Sequence, residues 1–177
     1  MASTAVLGEK GPSFENLRGV DGKNYSLSSF DDKQILVFVF MGNGCPTCKA
    51  TEERLIAIQK DYSESGVQVV LVNSNNASIS PPDSIEDMTK RARQNRYTFP
   101  YLKDEGATLA RDFGARTTPH AFILDKDRRL RYVGRVDNAR QKQLVTINDV
   151  RNALDELMRG GEVRMKETDS FGCSIVW

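Results

Sequence analysis

Ile35-Leu36-Val37-Phe38-Val39-Phe40-Met41-Gly42-Asn43-Gly44-Cys45-Pro46-Thr47-Cys48 is the stretch that decides the fold. Its first half is apolar without alternation, as a central strand covered on both faces should be. After it, Lys49 to Glu64 reads as a helix. Leu55, Ile58 and Tyr62 fall on one face, Pro46 suits the first turn, and Gly66 stops the run. Cys45 and Cys48 therefore stand at a strand-to-helix junction, where residues i and i+3 of a helical turn come within disulfide-bonding separation. Cys45, at the helix start, faces unpaired backbone N–H groups and the positive end of the helix dipole, and both favour its thiolate. Free cysteine titrates near ~8.5, and such motifs reach roughly 3.5–7.5. A redox dithiol is the expected chemistry, with Cys45 attacking and Cys48 resolving. Two structural alternatives stay open, half of a zinc site or a pair of buried cysteines. The first needs a second ligand pair, and only His120 and Cys173 are left to supply it.

Outward from this junction the chain alternates strands and helices. Phe14 to Tyr25, with Asp21-Gly22 inside, reads as an N-terminal hairpin. Val67 to Val72 is the next buried strand, and Asn73 to Asp83 is a polar loop ending at Pro81-Pro82. Ser84 opens a helix with Asp87 as capping partner. Phe99 to Leu102 reads as extended and Gly106 to Phe113 as a short helix. His120 to Leu124 and Leu130 to Arg135 read as strands joined by a turn at Asp125–Arg128. A last helix is expected from Thr146, reciprocally capped by Asp149, with Ile147, Val150, Leu154, Leu157 and Met158 on one face and an end at Gly160-Gly161. The pattern predicts an α/β fold with a central mixed sheet and helices on both faces. One domain over 1–177 is expected, with 1–10 flexible and 161–177 a C-terminal tail.

Composition narrows the function classes. The chain has 177 residues, 39% hydrophobic and 28% charged, with a net charge of +1. That suits one soluble globular domain without the basic surface that nucleic acid needs. Arg128-Arg129-Leu130-Arg131 sits beside Asp125 and Asp127, as alternating charge on a hairpin. No run approaches the roughly 18 apolar residues of a membrane span. The first eight residues are too short and too polar for a signal peptide, so a cytoplasmic protein is expected. Three cysteines do not make a disulfide scaffold; a close pair plus one outlier points to reversible thiol chemistry.

Thr117-Thr118-Pro119 carries the second signal. A proline entering the apolar strand His120-Ala121-Phe122-Ile123-Leu124 belongs at a strand entry or in a cis turn. Beside a dithiol, a cis-proline loop offers backbone groups to an incoming peptide and keeps metal away from the thiols. Thr118 and Pro119 are accordingly the candidate substrate-binding residues. Cys173 has two readings: an auxiliary thiol on a tail that folds back to exchange with the pair, or, preferred, a small buried residue packed with Ile175 and Trp177. Arg135 and Asp137 are expected to serve an ion pair or a turn cap.

Taken together, these features resemble the thioredoxin superfamily, and within it the peroxiredoxin-like redoxin branch of alkyl hydroperoxide reductase and thiol-specific antioxidant relatives. Gly11-Pro12-Ser13-Phe14, Asp21-Gly22-Lys23, Val72-Asn73-Ser74-Asn75, Phe99-Pro100-Tyr101-Leu102, Asp104-Glu105, Thr118-Pro119, Gly134-Arg135-Val136-Asp137 and the tail Gly172-Cys173-Ser174-Ile175-Val176-Trp177 carry the resemblance. It implies a thioredoxin fold with Cys45, Cys48 and cis-Pro119 as the site. It departs first at Gly42-Asn43-Gly44-Cys45-Pro46, where relatives of this subgroup often carry Cys-Asn-His-Cys-Pro, so that the partner cysteine stands after Cys45 instead of before it. Two further positions depart from it. Gly42 stands where a peroxidatic cysteine is preceded by threonine or serine, and Val39 where thioredoxin carries a buried aspartate. The Cys-Pro-x-Cys loop suggests an intermediate or reducing potential.

Three functions follow as expectations. The first is a thiol–disulfide oxidoreductase that reduces protein or small-molecule disulfides, served by an unidentified reductant. The second is a thiol peroxidase using Cys45, with Cys48 or Cys173 resolving. The third is a copper carrier built from Cys45, Cys48 and His120. For the enzyme, no cofactor or resident metal is expected, and the chain should be a monomer or weak dimer.

Overall fold

The computed structural model describes residues 4–177. In chain order the main elements are β1 (Leu17–Gly19), β2 (Asn24–Tyr25), β3 (Ile35–Phe40), α1 (Pro46–Tyr62), β4 (Val67–Asn73), α2 (Ile85–Gln94) and β5 (Tyr101–Lys103). They continue with α3 (Thr108–Phe113), β6 (Thr117–Thr118), β7 (His120–Leu124), β8 (Leu130–Gly134), α4 (Asp149–Met158) and β9 (Cys173–Ser174). Seven strands form one sheet in the order β2-β1-β5-β4-β3-β7-β8. β3 and β5 run parallel to β4, whereas β7 is antiparallel to β3 and β8 to β7. The mixed sheet expected from the pattern is present, with the hairpin β1–β2 extending one edge through β5. β6 and β9 pair separately.

The unbroken apolar run of β3 is explained by its central place, because successive side chains enter two different cores. Val37 and Val39 join Leu55 and Ile58 of α1, Met88 of α2 and Val150, Ala153 and Leu154 of α4. Leu36, Phe38 and Phe40 join Phe113 of α3, Phe122 of β7, Phe14 and Phe30. In the second core Phe40 meets Phe122 edge-on at 5.6 Å and Phe113 lies 4.9 Å from Phe122, geometry that aromatic quadrupoles favour. Gly66 ends the α1 segment with a left-handed φ of 81°, a conformation that would strain most side chains.

Some elements differ from expectation, each because a tertiary partner outcompetes a local one. The last helix begins at Asp149, not Thr146, and no side-chain cap is made. Asn138 takes Thr146 instead, donating to its hydroxyl at 2.7 Å and accepting its amide at 2.9 Å, while Asp149 accepts from Arg135 Nε at 2.7 Å. Ile147 and Met158 are consequently exposed, and Val150, Ala153 and Leu154 carry the buried face. Arg135 and Asp137 do form ion pairs, with Asp149 and with Arg54 of α1 (Nε to carboxylate 2.8 Å). Residues 1–3 of the segment expected to be flexible lie outside the described residues. Within residues 4–10, Ala5 N–H donates to Asp112 O at 2.9 Å and Gly8 N–H to Leu130 O at 2.8 Å, and Leu7 packs on the second core. Among the described residues no helix is long and apolar enough to cross a membrane.

Candidate active site

β3 delivers the chain to the top of the sheet, and Gly42-Asn43-Gly44 turns it into α1. Cys45 is the N-cap of that helix, with extended backbone (φ −77°, ψ 117°) and Pro46 in the first turn. Its sulfur accepts the Cys48 backbone N–H at 3.4 Å, the hydrogen bond a capping oxygen would otherwise take. Cys48 sits one turn on and is almost fully buried, its sulfur accepting Gly42 N–H at 3.4 Å. Both cysteines belong to the first core.

Thr118-Pro119 lies against them with its peptide bond cis, as the position of the proline suggested. In its protonated form Cys45 donates to Thr118 O at 3.2 Å. Ionisation removes that bond and leaves donors around the sulfur. The Cys48 thiol contributes most to lowering the Cys45 pKa, to about 4; the Cys173 thiol, the Thr118 hydroxyl and the Cys48 amide add to it against the cost of burial. Burial acts the other way on Cys48, and the neighbouring Cys45 sulfur adds to it, so Cys48 keeps its proton. One motif thus holds an ionised nucleophile next to a protonated partner, the division a mixed-disulfide mechanism requires.

Two expectations are corrected. Cys173 was expected to pack with Ile175 and Trp177. Instead it is half-buried on β9 and packs against the core that contains Cys45 and Cys48, while Ile175 enters the opposite core. Trp177 is 47% exposed, with the Arg111 guanidinium 4.9 Å from its ring. The reason is register: β9 pairs antiparallel with β6 so that Cys173 stands opposite Thr118. The chain's own tail therefore pairs with the strand beside the cis-proline that was expected to receive a peptide. The copper site is the second correction. His120 follows Pro119 in sequence but shares a sheet face with Phe122, its ring 4.6 Å away, on the side opposite the thiols. Its Nδ1 accepts Arg116 N–H at 3.3 Å, and burial, with help from Arg116, lowers its pKa to about 4. Among the described residues no group of three His, Cys, Asp or Glu side chains is placed to hold a metal ion.

A set of polar residues beneath the junction was not visible as a site in the sequence. Asp83, buried at the end of the polar loop, accepts Asn43 N–H at 2.7 Å and Asn73 Nδ2 at 2.8 Å on one oxygen. Its other oxygen accepts Ser80 Oγ at 2.6 Å and Asn75 Nδ2 at 3.1 Å. Tyr101 OH donates to Asn43 Oδ1 at 2.8 Å and accepts from Asn73 Nδ2 at 3.1 Å. Asn43 Nδ2 reaches Pro82 O at 2.8 Å. The network fixes the backbone two residues before Cys45. Its members come from two loops and from the ends of β4 and β5, segments far apart in sequence.

A parallel β3–β4–β5 core, an antiparallel β7–β8 pair, a dithiol at a helix mouth and a facing cis-proline define a thioredoxin-like protein. Residues 7–154 match the Redoxin family model, and the chain belongs to that family. A solved structure of an uncharacterised conserved protein from Geobacillus kaustophilus is similar over 99% of this chain and 94% of its own, with 36% identity and a TM-score of 0.91. Among curated relatives, the thiol-disulfide oxidoreductase ResA of Bacillus thuringiensis subsp. konkukian is 23% identical over 121 residues, 68% of this chain and 65% of its own length. The chloroplastic peroxiredoxin Q of Suaeda salsa is 26% identical over 135 residues, 71% of this chain and 58% of its own. This chain thus spans 65% and 58% of those two relatives.

Proposed function

We propose that the protein is a thiol–disulfide oxidoreductase in which Cys45 attacks a substrate disulfide and Cys48 ends the cycle as its disulfide partner. The observation that carries this is the Cys45 sulfur in the N-cap position of α1, with the Cys48 amide at 3.4 Å and the protonated Cys48 thiol beside it. The thiolate forms a mixed disulfide, and attack by a second thiol on Cys45 releases the reduced substrate. An external dithiol then restores the pair. The similarity to ResA supports this chemistry, and a reducing, cytoplasmic setting is part of the proposal. Insulin reduction driven by dithiothreitol tests it: the wild type should exceed Cys45→Ser by a wide margin, and equal rates would reject it.

Peroxide is the second substrate class, favoured by the similarity to peroxiredoxin Q; the Thr118 hydroxyl, which donates to Cys173 O at 3.5 Å, is the nearby group that could stand in for the threonine or serine missing at Gly42. Attack would yield a Cys45 sulfenic acid, which a neighbouring thiol condenses to a disulfide with loss of water. Stopped-flow peroxide consumption no faster than that of free cysteine would exclude it.

A further inference from the structure

The tail from Gly172 onward is fastened at several points, and all of them act on where Cys173 sits. β9 pairs with β6 at Thr117–Ser174 and Thr118–Cys173. Ahead of it, Ser170 Oγ accepts from Thr117 Oγ1 at 2.8 Å. Beyond it, Ile175 N–H donates to Arg116 O at 3.0 Å and its side chain is buried, while Val176 N–H donates to Asn75 Oδ1 at 2.8 Å and Val176 O accepts Asn76 N–H at 2.8 Å. Gly172 makes the approach possible. Its φ is 141°, and a Cβ there would lie 2.0 Å from Thr118 O. Thr118 is the shared neighbour of the two sulfurs: its carbonyl accepts from Cys45 Sγ at 3.2 Å, and its Cα is the register partner of Cys173. A tail needed only to cover the core would require no thiol at that register position.

We propose that Cys173 is a third redox-active residue of this site, closing a transient disulfide with Cys45 before Cys48 does. The proposal rests on Cys45 being the attacking nucleophile. The Cys45 thiolate first attacks a substrate R–S–S–R′, forming Cys45–S–S–R and releasing R′S⁻. Cys173 next attacks Cys45 Sγ; the bond to substrate sulfur breaks, and the departing RS⁻ takes the Cys173 proton. Cys48 finally attacks Cys45 Sγ, displacing Cys173, which recovers its proton from Cys48. Two electrons pass from Cys45 and Cys48 to the substrate, and Cys173 is returned unchanged.

Access explains the order. Cys48 is 1% exposed, its sulfur turned inward to Gly42 N–H, whereas Cys173 is half-buried on a two-residue strand at the surface. Burial, then the Cys45 sulfur, pushes the Cys173 thiol up to about 11, a smaller rise than that of Cys48. Once Cys45 is in a mixed disulfide its charge is gone, and what remains is a desolvation cost heavier for Cys48. Because β9 occupies the backbone edge of Thr117–Thr118, a substrate that need not add a strand suits the docked tail, namely a low-molecular-weight disulfide.

Dithiobis(nitrobenzoate), a small chromogenic disulfide, tests this. Added in equimolar amount to reduced Cys48→Ser, and to Cys48→Ala as a check on folding, it should release about two nitrothiobenzoate equivalents per chain. Peptide mapping should then find Cys45 linked to Cys173. Release of about one equivalent, with a persistent adduct on Cys45, would overturn the proposal. With Cys48 intact, Cys173→Ser should slow the second release phase about tenfold; an unchanged second phase would also overturn the proposal. Loss of a distinct fast first phase in the wild type, leaving it no faster than Cys45→Ser, would instead sink the Cys45 assignment on which it rests.

Discussion

The first turn of α1 and the loop network around Asp83 are both buried polar clusters at the same end of the sheet, and they differ in how their groups are engaged. Around Asp83 each carboxylate oxygen accepts two donors, and the side chain is 1% exposed. A buried acceptor so fully engaged has no capacity left for an incoming group, and it holds the backbone still. Around Cys45 the donors converge on a sulfur that is a weak acceptor and a strong nucleophile once ionised. The same environment that would make an oxygen a quiet helix cap makes this sulfur reactive. On the proposed function, chemistry belongs to the cluster with reactivity in reserve, and rigidity to the fully engaged one beside it.

That contrast can be broken most decisively at Cys45. Cys45→Ser keeps a capping oxygen at the helix start, so it should fold normally and lose roughly a thousandfold in disulfide reduction, measured by single-turnover kinetics. A serine variant retaining activity would show that the thiolate is not the working group. At the other cluster the expected loss is in stability. Asp83→Ala leaves the Asn43 amide and the Asn73, Asn75 and Ser80 side chains without their acceptor, at a cost of about 3 kcal/mol in urea unfolding. A change near zero would mean that the network does not position the loop.

The pH dependence sharpens the same comparison. Alkylation of Cys45 by iodoacetamide should be nearly constant from about pH 6 to 8, where an ordinary thiol would still be rising toward its pKa. For stability the folded pKa is depressed, to about 4 from 9.0. The reduced protein's advantage over Cys45→Ala should therefore be complete above the unfolded thiol pKa and shrink as pH falls toward about 4. Denaturant midpoints across that range check the sign, and an advantage growing toward acid would contradict it. The smallest expected effect is at Tyr101→Phe. It removes one donor to Asn43 and should cost about 1 kcal/mol while leaving the alkylation profile of Cys45 in place.

What the residues alone determined is what depends on short-range pattern. An unbroken apolar run demands a central strand, and Pro46 between two cysteines demands a helix start with a thiol at its mouth. Glycine and proline punctuation set the order of strands and helices. What only the tertiary structure decided depends on pairing between distant segments, where no local periodicity operates. Asn138 displaced the expected Thr146 cap, and the sheet put His120 on the face away from the thiols although Pro119 stands next to it. Asp83 drew together donors from separate loops. Register between β6 and β9 brought Cys173 to Thr118 across 55 positions of chain. Contacts of that range are set by which surfaces bury one another, and a single sequence records them only as isolated polar residues and one unplaced thiol.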